Sequence, residues 1–268
     1  LAHNNAPLHN IPEPLLPHAQ RRLNVHNVGW GSARQTASQE FHHLFPQAFE
    51  QSDEPSVGIQ GWVPQGWEVC ALGEKVMVKR GGSPRPIKDF IVSEGLPWTK
   101  ISDATASGTR FIKSTKEHIK LEGLSKTTLL KKGTLILSNS ATPGLPKFLD
   151  LDACIHDGWL HFPEKENFND HYLYQLFLVV RKELVQQGNG SVFTNLKTDI
   201  LKNHKMVVAP KSLLDEFGDV VSSIHSKLHE LSESTVILSG IRDTLLPKLI
   251  SGELRIPDAQ QSVAALVK

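Results

Sequence analysis

From Phe217 onward the apolar residues Phe217, Val221, Ile224, Leu228, Leu231, Leu238, Leu245 and Leu249 recur in steps of four and three. Thr235 and Arg242 fill the two positions the series skips. That spacing is a heptad seam, a narrow stripe on one side of a helix that suits another helix better than a sheet. Ser212 is read as the N-cap, with Asp215 at the box position and Glu216 adding favourable first-turn charge. A helix from Ser212 to Leu246 would extend about 50 Å at 1.5 Å per residue. Gly218 and Gly240 interrupt it, each costing about 1 kcal/mol relative to Ala, so packing must hold it. The seam is expected to meet a partner; the competing expectation is a helix folded back on its own domain. Pro247 should end or kink the helix at Leu246, because proline removes the bond to the Asp243 carbonyl and crowds it. A last short turn would then run from Pro247 to a stop at Gly252.

The 210 residues before this helix differ in character. Residues 1–60 are rich in His, Pro, Asn, Gln and Ser, and prolines recur too closely in "HNIPEPLLPHAQ" for a helix. They read as a loosely structured arm, with at most one short turn in "FHHLFPQAFEQS". Residues 61–210 read as a mixed α+β domain, because strand and helix patterns do not alternate regularly. Strands are expected within Glu68–Lys79, in "LPWTKISD", at Leu135–Leu137, in "HKMVVAP", and as a strand or hairpin in "ACIHDGWLHF". Helices are expected from the Ser114–Glu117 capping box to Gly123, from an Asn169 cap to Gly188, and in "TNLKTDILKN". Residues 211–256 are the long helical region and 257–268 a tail.

Net charge is only +1, but it is unevenly spread: residues 61–210 hold 20 basic against 15 acidic side chains. A basic half of a domain attracts phosphate. Lys79, Arg80, Ser83, Arg85 and Lys88 surround a Gly-Gly turn. Lys100, Ser102, Asp103 and Thr105 follow a strand, as do Asn139, Ser140 and Thr142. Arg110, Lys113 and Lys116 continue the basic run. Such side chains bond phosphates and base edges.

Signatures of catalysis are missing from the sequence. It has no Asn/Asp-Pro-Pro-aromatic tetrapeptide, no GxGxxG or Walker spacing around "RGGSPRP", and no GxSxG elbow. His225 and His229 are four apart, but Ser226 stands where a metalloprotease helix needs Glu; a solvated helix face is expected there, with no metal. His42-His43 falls in the loose arm. His156-Asp157 is expected to make a structural hydrogen bond. Cys70 and Cys154 read as buried free thiols of a reducing cytoplasm, and no cofactor is expected. The most apolar run, "YLYQLFLVV", is too short for a bilayer, and the N-terminus does not read as a signal peptide.

In order along residues 62–256, "GWEVCALGEKVMVKRGGSPRP", "GLPWTKISD", "GTLILSNSATPG", "GSVFTNLKTDILKNHKMVVAP" and "IRDTLLPKLISGEL" resemble the specificity (S) subunit of type I restriction–modification enzymes. The last segment is the most specific of them. The resemblance implies a target recognition domain reading one half of a split double-stranded DNA site, followed by a conserved-region helix. It implies methyltransferase (M) subunits docked around that helix, a restriction (R) subunit joining through them, and no catalysis by the chain itself. An S subunit carries two recognition domains and two helical regions; here there is one of each. The chain is therefore expected to be a C-terminal piece or a half-subunit, its seam meeting a second copy or the missing half. The alternative from another class is a coiled-coil adaptor whose α+β domain binds a protein or small molecule.

Overall fold

The computed structural model describes residues 49–54, 57–58, 61–187, 195–258 and 260. Most of the arm with His42-His43, the expected stop at Gly188 and most of the tail lie outside the described residues. The chain divides into two compact units, Leu1–Trp67 and Glu68–Lys268. In the first, β1 (Phe49–Gln51) pairs antiparallel with β2 (Trp62–Pro64). The end of the expected loose arm is thus a strand. The Ser52 N–H closes the connection by donating to the Gly61 carbonyl at 2.7 Å.

The second unit opens with β3 (Glu68–Ala71), the one-turn α1 (Leu72–Lys75) and the short β4 (Lys79–Arg80). Next come β5 (Ile91–Val92), β6 (Leu96–Thr99), α2 (Ile101–Ala106), β7 (Phe111–Ile112), β8 (Glu117–Ile119) and β9 (Thr128–Leu130). Then follow β10 (Leu135–Ser138), β11 (Pro146–Leu149), β12 (Ala153–Ile155), β13 (Trp159–His161), α3 (Asp170–Gln187), α4 (Thr198–Lys202), β14 (Lys205–Val208) and α5 (Lys211–Ile250). One five-stranded sheet has the order β4-β13-β10-β11-β7, another the order β5-β8-β6-β12-β9, and β14 pairs with β3. The β7–β11 and β6–β12 pairs are parallel and the other pairs antiparallel. This is the α+β fold with a long helix.

Alternation along β12 shows how the layers form. Ala153 and Ile155 point into a cluster with Ile136, Leu149 and Trp159 of the other sheet and with Ile101 and Ala104 of α2. Cys154 points the opposite way, to Trp98 and Ile119, as a period of two requires. The sheets therefore sandwich the first cluster, and the Trp159 indole N–H ties them by donating to the Thr99 carbonyl at 3.0 Å. Strand β10 is buried at all four positions, which fits its unbroken apolar run Leu135–Leu137. On its outer side lies α3, whose Leu173, Phe177, Val180 and Leu184 recur at helical spacing and are buried. The Asn169 side chain caps this helix as expected, accepting from the Tyr172 N–H at 2.8 Å. Both cysteines are buried free thiols.

Four expectations need correction. The Ser114–Glu117 pattern does not cap a helix: Glu117–Ile119 is strand β8, and Leu121–Lys126 forms a 3-10 turn. Ile119 is wholly buried in the second sheet, and the Lys116 N–H is taken by Asp103 at 3.4 Å, so tertiary burial overrides the local signal. "LPWTKISD" is strand only to Thr99; Ser102, Asp103 and Thr105 lie on α2, with Asp103 accepting from the Lys100 N–H at 2.8 Å near the helix start. β12 and β13 are not a hairpin but belong to different sheets. Helix α5 begins one residue early, with the Pro210 carbonyl accepting from Leu213 and Leu214 at 3.0 and 3.1 Å. Ser212 then falls inside the first turn without capping.

The same helix runs through Pro247 to Ile250. Pro247 stands in the last turn and Asp243 is exposed, so the freed carbonyl can meet water instead of being buried unpaired. Gly252, at φ 74°, ends the helix in the left-handed conformation.

One face of α5 does fold back on its own domain. Leu214, Gly218, Val221 and His225 are its buried residues, spaced four, three and four. Val221, expected on the partner seam, belongs to this inward face. His225 and His229 are not a solvated face either. His225 is 2% exposed, and His229 stands edge-on to Phe111 at 4.7 Å and 3.7 Å from Asp150. The remaining seam residues Phe217, Ile224, Leu228, Leu231 and Leu238 are exposed, while Leu245 and Leu249 are half-buried.

Candidate nucleic-acid interface

The turn between β12 and β13 carries the chain from one sheet to the other, and Asp157 sits in it. Several of the expected contact residues gather there. The Ser83 hydroxyl donates to Asp157 Oδ1 at 2.7 Å. Arg85 reaches Oδ2 at 3.3 Å, and Arg80 Nε donates to the Asp157 carbonyl. Asn139 contributes its side-chain amide, which reaches the same carbonyl at 3.4 Å. Ser140 borders the turn, since a Cβ on Gly158 would lie 2.6 Å from its hydroxyl. Lys100 is close enough for its charge to act on His156.

Local folding explains the gathering. Gly81 and Gly82 let the chain pass against the backbone of the neighbouring strands: a Cβ on Gly81 would meet the His156 carbonyl at 2.4 Å, and one on Gly82 the Lys126 carbonyl at 2.6 Å. The His156 Nδ1 accepts from the Gly158 N–H at 2.7 Å, which is the structural hydrogen bond expected of it. Burial holds the His156 pKa below its ordinary value against the opposing pull of Asp157. At Asp157 burial works upward, but the Ser83 hydroxyl and the Arg85 and Arg80 guanidiniums outweigh it, so the carboxyl stays below its ordinary range. Both arginine side chains remain more than half exposed. Asp157 thus holds both guanidiniums, Arg85 through its carboxylate and Arg80 mainly through its backbone carbonyl, while both side chains stay open to solvent with further N–H donors to offer.

Not every expected residue joins this group. Lys79 on β4 and Lys88 in the following 3-10 turn are exposed beside it. Thr142 lies in the β10–β11 turn, its N–H donating to the Ser140 carbonyl at 2.6 Å. Arg110, Lys113 and Lys116 flank β7 and β8 instead. Strand β4 is one edge of its sheet and β7 the other, so about 19 Å of sheet separates the two groups at about 4.8 Å per strand. Arg110 lies over the Tyr174 ring, 5.5 Å from its centroid. Of the α2 residues, Ser102 and Thr105 are exposed, whereas Asp103 is 6% exposed and both its carboxylate oxygens accept backbone N–H groups.

Two features escape a sequence reading. Asp157 is 77 residues from Arg80, and no local signal marks it as the arginines' partner. Lys147 is 7% exposed, and its ammonium donates to the Ser107 hydroxyl at 2.9 Å and to the Thr109 carbonyl. Burial lowers its pKa.

A family model described as the type I restriction modification DNA specificity domain matches residues 64–216, more than half of the chain. The chain belongs to this family. The matched region includes both groups of cations and the start of α5. Among curated members, the MjaIX specificity subunit of Methanocaldococcus jannaschii is 24% identical over 205 residues, covering 73% of this chain and 46% of its own. The HindI specificity subunit of Haemophilus influenzae is 26% identical over 208 residues, covering 72% and 42%. This specificity-domain chain thus spans less than half the length of those relatives. Among solved structures, the type I restriction–modification S subunit from M. genitalium aligns with a TM-score of 0.51 at 14% identity, over 69% of this chain and 46% of that one. A chain solved in work on complex assembly and conformational transition of the type I R-M system aligns with a TM-score of 0.50 at 17% identity, over 88% and 56%. At those identities the likeness concerns fold alone. No helix among the described residues is long and apolar enough to cross a membrane.

Proposed function

We propose that this chain is a sequence-specific recognition component of a type I restriction–modification complex, reading one half of a bipartite site on double-stranded DNA. It is a non-catalytic part of that complex and works in the cytoplasm. Its α5 seam packs on a second copy or on the missing half of the S subunit, and the methyltransferase subunits dock around that helical region, with the restriction subunit joining through them. The observation that carries the reading is the pair of solvent-open guanidiniums, Arg80 and Arg85, held by Asp157 in a member of this family. The exposed Lys79 and Lys88 supply phosphate contacts around them and the exposed Lys116 supplies one from the other group of cations, and Ser102, Thr105, Ser140 and Thr142 supply short polar groups for base edges.

The test is DNA binding by the R80A/R85A double variant beside the parent chain, each with the methyltransferase subunit, across a salt series. Two lost phosphate contacts should reduce the magnitude of the slope of log K against log salt by about 1.8. Unchanged affinity and slope would remove these arginines from the interface. Binding of random duplex with the same affinity as target DNA would leave a phosphate-binding module without sequence recognition.

A further inference from the structure

On the domain-facing side of α5, His229 and Glu233 stand one helical turn apart, and Asp150 faces them from the end of β11. The His229 Nε2 lies 3.7 Å from Asp150 Oδ1 and 3.4 Å from Glu233 Oε1. One ligand atom from each of the three residues lies within 4.8 Å of the other two. Tetrahedral zinc, with bonds of about 2.0–2.1 Å, sets its ligand atoms about 3.3–3.4 Å apart. The two measured edges therefore need adjustments of only a few tenths of an ångström.

The surroundings favour a cation. The Asp150 side chain is 8% exposed, and two carboxylates converge on one imidazole nitrogen. The Lys132 ammonium, on a side chain 60% exposed, bonds Asp150 Oδ1 at 2.7 Å. It is a monovalent charge on an exposed side chain where a divalent ion would fit. Both carboxylates face the same nitrogen of His229, Nε2, whose lone pair is the one a metal would take. Glu233 is 54% exposed, which gives a water room to complete the coordination sphere.

We infer that Asp150, His229 and Glu233 form a binding site for a divalent cation of the zinc class, which fastens α5 to the end of β11 and displaces Lys132. A carboxylate–imidazole donor set suits a borderline metal. The ion bridges two separate elements, β11 and α5, so binding it stabilises their docking by linkage. This holds whether or not the chain reads DNA.

The experiment uses the whole chain, stripped of metal by chelator and titrated with zinc chloride while thermal unfolding is followed. A saturable rise in Tm is expected, absent in H229A and in E233Q. The Glu233 position is exposed, so that variant keeps the fold if the histidine change does not. Lys132→Ala removes the competitor and should tighten zinc binding by about tenfold, a magnitude typical of changes beside metal ligands. With cobalt as the probe, the tetrahedral visible bands should lose one equivalent in E233Q, while ions held by histidines elsewhere remain. A zinc-dependent rise that persists in E233Q, or weaker binding by K132A, overturns the site.

Discussion

The Nδ1 of His225 on α5 lies 2.8 Å from the Nδ1 of His171 on α3. One Nδ1 must carry the proton and the other accept it, so the contact is lost once both imidazoles are charged. Gln175 lies 3.1 Å from the other nitrogen of His225, and Phe148 and Tyr174 close the pocket with their rings. Burial, then the Arg110 charge and the paired ring, push His225 down to about 4. Burial also lowers His171, against the opposing pull of Asp170 and with Arg110 adding to it.

Stability should therefore fall in acid. A histidine whose folded pKa is depressed contributes fully above its unfolded value of about 6.5 and loses that contribution as pH drops toward the folded value. By pH 5 the loss from His225 alone should be on the order of 2 kcal/mol. Urea unfolding at pH 7 and pH 5 measures it, and His225→Gln should flatten the difference. An equal pH dependence in both proteins would place the titrating groups elsewhere.

Two glycines of α5 should answer in opposite directions. A Cβ on Gly218 would sit 2.0 Å from the Asn169 Nδ2, whose side chain caps α3. Gly218→Ala should lower stability by about 1–3 kcal/mol, as overpacking does, despite the better helix propensity of Ala. Gly240 has nothing within 4 Å of a built Cβ, so Gly240→Ala should raise it by up to about 1 kcal/mol. Denaturant melts of the two variants decide, and a destabilised G240A would show that this glycine faces a close neighbour.

The outward stripe should be separable from the fold. Leu245→Asp with Leu249→Asp should abolish assembly into the complex, read as mass by light scattering, and leave the Tm of the residue 68–210 region within about 2 °C. Leu214→Asp, which buries a charge against the domain, should instead unfold the chain. An intact assembly in the double variant would mean that the helix end does not meet the partner.

The sequence makes the strands and α3 readable because their signals are local: a run of three apolar residues in β10, and Asn169 before a spaced apolar stripe. It also makes the length of α5 readable to within a few residues. It hides which face of α5 turns inward, because two stripes share Val221, and only the small Gly218 and the buried His225 distinguish them. The Ser114–Glu117 box misleads, since the Ile119 side chain is worth more in the core than the cap is at the surface. The expected contact residues are readable as types but not as an arrangement. Asp157, which draws Arg80, Ser83 and Arg85 together, lies more than 70 positions away from each of them.

Helix α5 stays unbroken through Pro247 for 40 residues, about 60 Å at 1.5 Å per residue. His229, seated against Phe111 and Asp150, is 21 residues from Ile250, about 32 Å along the helix. A tilt of about 5° at the histidine seat would sweep the tip through about 3 Å over that length. The packing of Gly218 on Asn169 and of His225 on His171 thus acts as the pivot of a lever. Changes too small to disturb the domain would still shift where the far end of the helix is aimed.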